Sequence, residues 1–152
     1  MKCATGQENT NSSVFYLAPN NGGTSQRVCK VPAGKALFIP VMPVESSDKE
    51  LPKASVADLS NSAKNDQDHV KQKQDLDKYR THTDAFDVVF PDNGIFGVLK
   101  GGVSKAVADG LYIITEPLAK GTYPIHFKSS LIDPSNPDTN FAQDITYNII
   151  AQ

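Results

Sequence analysis

The stretch ADGLYIITEPLAKGTYPIHFK, residues 108–128, decides the fold class of this chain. Residues 111–115 and 122–128 are two β-type runs separated by a short turn that ends at Gly121. In the second run Tyr123, Ile125 and Phe127 alternate with Pro124, His126 and Lys128. A period of two belongs to a strand with one buried face and one wet face. The pattern predicts an antiparallel β-domain and puts His126 on the face that water reaches.

Outward from this stretch, further strands are expected at residues 14–17, 25–31, 36–44, 85–90 and 142–151, with 95–99 as a possible continuation after the turn at 91–94. Pro32-Ala33-Gly34-Lys35 reads as a tight turn, with proline presetting φ and glycine tolerating a positive one. Residues 36–44, ALFIPVMPV, are almost continuously apolar and predict a central strand covered on both faces. Pro40 and Pro43 cannot donate to a ladder, so a bulge or an edge is expected there.

Composition changes after Glu45. Residues 46–79 are rich in Lys, Asp, Gln and Ser and hold no aromatic before Tyr79. Ser55 and Asp58 have the spacing of a capping box. Val56, Leu59, Ala63 and Val70 then form a thin apolar stripe, which predicts an amphipathic helix from Val56 to about Gln74 over an end or open edge of the sheet. Seven to nine strands with one helical insertion around residues 55–75 predict a mainly β protein. The expected architecture is an antiparallel β-sandwich, jelly-roll-like, forming a single domain over 1–152 with a helical excursion at 46–79.

A chain of 152 residues is long enough for one domain with a real core. A net charge of −2 with both signs interspersed argues against nucleic acid as a partner, which requires a basic stripe. No apolar run approaches the ~20 residues of a membrane span.

Cys3 and Cys29 either form a disulfide that ties the N-terminal segment to the strand carrying Cys29, or remain two thiols. A bridge would place the protein in an oxidising compartment, secreted or at the cell surface. Met1-Lys2 directly before Cys3 reads as a start added to a mature fragment, with a signal peptide absent ahead of it. Asn11-Ser12-Ser13 fits an N-glycosylation acceptor.

Three segments taken together resemble a family of secreted archaeal and bacterial β-domain proteins. They are VFYLAPNNGGTSQRVCKVPAGKALFIPVMPVE, FDVVFPDNGIFGV and VADGLYIITEPLAKGTYPIHFK, which match that family's YLAP-like strand, Cys-x-Val-Pro-Ala-Gly-Lys turn, Phe-Gly-Val segment and Gly-Thr-x-x-Ile-His-Phe strand in order. The resemblance implies export, a mostly β fold and pairing of Cys3 with Cys29. It implies no activity, because the family carries none to transfer.

The residues with chemistry to offer are few. His82, Asp84, Asp87 and His126 are the candidate ligand or metal set, since two imidazoles and a carboxylate suit zinc or another divalent transition metal. Asp92, Asn93, Asp133 and Asp138 supply oxygen ligands for a calcium loop, although Asp and Asn are also what turns select. His69 on the helix is expected to be solvated. A blue-copper cluster, a Gly-x-Ser-x-Gly elbow and a phosphate loop are all missing from the sequence. The five tyrosines could line a sugar or peptide groove, but in a sandwich most belong to core and rim.

The reading that results is an exported non-enzymatic β-sandwich module with no required cofactor, binding a ligand or a cell-surface component. One alternative is a metal-dependent hydrolase using His82, Asp84 and His126. Another is a structural subunit of a surface layer or filament, a homo-oligomer pairing through strand edges.

Overall fold

The computed structural model describes residues 3–4, 11–71, 76–94 and 100–152. In chain order its elements are β1 (Val14–Tyr16), β2 (Gly23–Val31), β3 (Ala36–Ser47), α1 (Val56–Asp68), β4 (Val70–Lys71), β5 (Arg80–His82), β6 (Phe86–Phe90), β7 (Gly102–Ile114), β8 (Gly121–Leu131) and β9 (Phe141–Ala151). They form two sheets packed face to face, a β-sandwich-like, mainly β fold. The front sheet has the order β1-β3-β7-β5, with β6 also paired to β7; the back sheet has the order β2-β9-β8-β4. The run expected at residues 95–99 lies outside the described residues.

The sheets are mixed, not purely antiparallel. β1 pairs with β3 in parallel, and β2 pairs with β9 in parallel across all nine of its residues. The cause is the path of the chain. β2 lies in the back sheet between β1 and β3, so the chain re-enters the front sheet running in its original direction. The stretch at 108–128 is likewise divided between layers. Its first run ends β7 in the front sheet, its second lies in β8 in the back sheet, and residues 115–120 cross between them.

Alternation fixes which side chains meet between the layers. Leu37, Ile39 and Leu111 point inward from the front sheet, and Ile145, Tyr147 and Ile149 meet them from the back sheet. Each such side chain contributes about 1.5–3 kcal/mol by leaving water. The prolines of β3 have the predicted consequence, a register shift between Pro40 and Met42. That bulge frees the carbonyl of Val41, which is caught from the opposite sheet by Ser129 Oγ at 2.8 Å and Gln143 Nε2 at 2.7 Å, both buried.

Residues 17–20 cross between β1 and β2 and are held at several points. The Ala18 carbonyl accepts from Tyr147 Oη at 2.6 Å and from Arg27 Nη1, while Arg27 Nη2 donates to Pro19 O at 3.1 Å. Ala18 N donates to Cys3 O at 2.8 Å. Cys3 itself is disulfide-bonded to Cys29, with their Cα atoms 5.6 Å apart.

The helix begins where its cap predicts. Ser55 Oγ accepts from Asp58 N, and Asp58 Oδ2 accepts from Ser55 N. It ends at Asp68, earlier than the expected span of 55–75, because Val70 already pairs with Leu131 in the back sheet. Gln74 lies outside the described residues. Leu59 and Ala63 pack on Val107 and Val44, while Val56 at the start of the expected stripe is exposed. α1 thus packs on the inner side of β7 and β3 through Leu59 and Ala63, with most of its other residues exposed.

Glu45 lies on the outer face of the front sheet, opposite Ala108. Burial and the neighbouring Glu50 carboxyl push its pKa up to about 7, against a smaller opposing hydrogen bond from Ser47. The unfolded carboxyl titrates near 4.5. Between these values the folded state binds more protons than the unfolded one, so stability present below pH 4.5 is lost as pH rises through 7. The full difference corresponds to about 3 kcal/mol, which partial exposure of the pair reduces to about 1–2 kcal/mol. Urea midpoints measured from pH 4.5 to 8 are expected to fall accordingly. Glu45→Gln is expected to remove most of that slope; a variant with the wild-type slope would exclude this pair as its source.

Candidate functional site

The packing of α1 on the inner face of β7 leaves a cleft between the helix and edge strand β5. Leu59 and Ala63 anchor one side of the helix, which turns Ser60, Asn61 and Lys64 toward the cleft. Arg80 and His82 enter from β5, where they face Leu111 and Asp109 of β7 on the inward side of the sheet. The space enclosed is about 500 Å³, and its remaining wall comes from Thr81, Thr83, Val107, Ala108 and Asp109. A second chamber of about 230 Å³ adjoins it, and Asp77 and Arg80 line both.

Arg80 joins helix to sheet. Its Nε and Nη2 donate to the two oxygens of Asp109 at 2.8 and 2.9 Å, a bidentate pair, and its Nη1 donates to Asp68 Oδ1 at 2.6 Å. Asp68 also accepts from Lys64 Nζ at 2.8 Å. The two aspartates hold the Arg80 pKa above its ordinary value, Asp109 chiefly, while burial opposes them. Lys64 and Arg80 hold the Asp68 carboxyl below the usual range. Asp109 is only 7% exposed, so removing Arg80 would strand its charge. Arg80 thus ties α1 to β7 across one side of the cleft. Asn61 and His82 are exposed and make no side-chain hydrogen bond among the described residues, which leaves their polar groups open.

The outer face of the front sheet carries a different feature. Tyr16, Phe38 and Tyr112 form a row across β1, β3 and β7, with ring centroids 5.4 and 5.3 Å apart. Tyr112 lies over Gly110, where a Cβ would come within 2.9 Å of its ring. Tyr16 and Ile114 at the end of the row are 46% and 65% exposed.

The residues singled out from sequence are dispersed. His82 reaches the cleft, and Asp84 lies exposed two residues further on. Asp87 on β6 forms an ion pair with Lys105. His126 stands on the outer face of the back sheet, as its alternation predicts, with Nε2 2.8 Å from Asp144 Oδ1. The two histidines thus belong to different sheets. Among the described residues no three His, Cys, Asp or Glu side chains converge where a metal ion could sit.

The acidic loops serve local geometry. Asp92 Oδ1 accepts from Gly101 N at 2.8 Å, and Asn93 adopts a φ of 51° in the same turn. Asp133 Oδ1 accepts from Ser135 N and Oγ, and Asp133 N donates to Asn140 Oδ1, closing the loop in which Asp138 is exposed. His69 is partly buried, with Nδ1 2.8 Å from Asn65 O and Nε2 3.9 Å from Asp133.

Sequence reasoning missed Arg80, Asp109 and Gln67. A signal existed for Asp109, a carboxylate in the run VADGLY, where burial demands a cationic partner. Nothing in the sequence indicated which cation would meet it.

No family model and no curated protein matches the chain. A solved structure described as PbICP-C in complex with falcipain-2 aligns with 93% of this chain and 100% of its own. The two are 15% identical, with a TM-score of 0.29.

Proposed function

We propose that this protein is an exported, non-enzymatic β-sandwich module that binds a ligand in the cleft between α1, β5 and β7. The observation that carries this reading is the cleft itself. Its volume of about 500 Å³ falls within the range of ligand sites, and its walls are held by the Arg80–Asp109 and Arg80–Asp68 pairs. The open groups of Asn61 and His82 offer hydrogen bonds without a fixed charge, in keeping with a polar ligand body. Export is supported by the Cys3–Cys29 bridge, which persists in oxidising compartments. The hydrolase alternative needs His82 and His126 at one metal, and they lie on separate sheets.

Amide chemical-shift mapping against neutral oligosaccharides and short uncharged peptides tests the proposal. Shifts are expected in residues 60–64, 80–83 and 107–109. Asn61→Ala with His82→Ala is expected to weaken binding by about tenfold or more, the loss of one or two hydrogen bonds. Binding that maps to the Tyr16–Phe38–Tyr112 face and survives the double substitution would move the site elsewhere.

A further inference from the structure

Asn11, Ser12 and Ser13 make the one Asn-x-Ser/Thr triplet in the chain. Such a triplet accepts an N-linked glycan when it lies on the surface of an exported protein. The fold meets the surface condition. Asn11 and Ser13 are exposed, and neither side chain makes a hydrogen bond among the described residues.

Other asparagines are used by the fold itself. Asn20 is buried; its Nδ2 donates to Gly23 O and Ser25 Oγ, and its Oδ1 accepts from Gly22 N. Asn140 Oδ1 accepts from Asp133 N. Around Asn11 the anchoring falls to different groups. Ser12 Oγ accepts from Val14 N at 3.1 Å, and Ser13 O accepts from Ala36 N at 2.9 Å. The segment is thus held at the start of β1 by the middle residue's hydroxyl and by backbone. The carboxamide of Asn11 and the hydroxyl of Ser13, the two groups that the modification requires, are left free.

The position also suits a bulky group. β1 stands at one end of the front sheet and β5, with the cleft, at the other. Three strand spacings, roughly 14 Å, separate them. A glycan on Asn11 is therefore rooted at the end of the sheet remote from the cleft.

We propose that Asn11 carries an N-linked oligosaccharide acquired during export. This rests on the export reading above. In the transfer, Asn11 Nδ2 bonds to the anomeric carbon of a lipid-diphosphate-linked oligosaccharide. The bond from that carbon to the phosphate oxygen breaks, and the lipid diphosphate leaves with the electron pair. The amide nitrogen gives up one proton to a base of the transferase. The Ser13 hydroxyl marks the amide for the transferase and stays unmodified.

Tandem mass spectrometry of the full chain, purified from the medium and surface fraction of the organism that makes it, tests the proposal. Fragment ions are expected to place sugar mass on Asn11. Asn11→Gln and Ser13→Ala, produced in the same organism, are each expected to lose that mass, while Ser13→Thr keeps it. Both positions are exposed and their side chains hold nothing in place, so the variants are expected to melt as unmodified protein does. Sugar that persists in Asn11→Gln, or that survives Ser13→Ala on Asn11, would overturn the assignment. Exported protein with Cys3 and Cys29 bridged and Asn11 bare would overturn it while leaving export intact. Unmodified protein confined to the cell interior, with both thiols free, would remove this proposal and the export reading together.

Discussion

Replacing Tyr147 with alanine is expected to cost about 3–5 kcal/mol of folding stability, the range for removing a large buried aromatic. Tyr147 is fully buried at the centre of β9, packs beside Phe127 and sits under the Arg27 guanidinium, 5.5 Å from the ring centroid. Its hydroxyl reaches Ala18 in the crossing between β1 and β2, so the truncation opens a cavity and also loosens the link between sheets. Total stability of a domain this size is about 5–15 kcal/mol, so the variant would fold marginally. Tyr147→Phe is expected to cost only about 1 kcal/mol, because the Ala18 carbonyl keeps its bond from Arg27. Urea unfolding of both variants separates packing from hydrogen bonding. A loss below about 1 kcal/mol in Tyr147→Ala would contradict a filled inter-sheet core.

The second large effect concerns Cys3 and Cys29. With 26 residues of separation, chain-entropy arguments give the bridge about 3 kcal/mol. Cys3→Ser with Cys29→Ser is expected to lower stability by that amount, and reduction of the wild type should do the same. Cys29 is fully buried among Leu17, Val31 and Ile149, so a serine there adds a desolvated hydroxyl. Cys3→Ala with Cys29→Ala controls for this. Thiol titration of denatured, unreduced protein is expected to find no free thiol; two would remove the bridge and with it the main support for export.

How legible these features were depended on how each segment meets water. β8 and β9 alternate cleanly because one face of the back sheet is solvated, and His126 fell on the predicted side. Residues 102–110 of β7 gave no such signal. Ser104 and Ala106 are buried on one face and Val107 is covered by α1 on the other, so the run mixes small, polar and charged residues without a period of two. The capping box at Ser55 was readable because it is local chemistry. The parallel pairing of β2 with β9 was not, since strand partners are chosen at a distance of more than a hundred residues. The same distinction divides the cleft. His82 could be named as a polar residue near a strand, whereas its neighbours Arg80 and Asp109 meet only through the pairing of β5 with β7.

The bulge in β3 bears on more than register. ALFIPVMPV is the most apolar run in the chain, and before the sheets form it is exposed to other copies of itself. Stacking of identical segments into cross-β fibrils needs an unbroken ladder of N–H donors, and Pro40 and Pro43 remove two of them within nine residues. In the folded protein the irregularity lets the Val41 carbonyl turn to Ser129 and Gln143, partners that no misassembled strand supplies. The same two prolines that interrupt the central strand of the native sandwich therefore act as gatekeepers against aggregation while the chain is still unfolded.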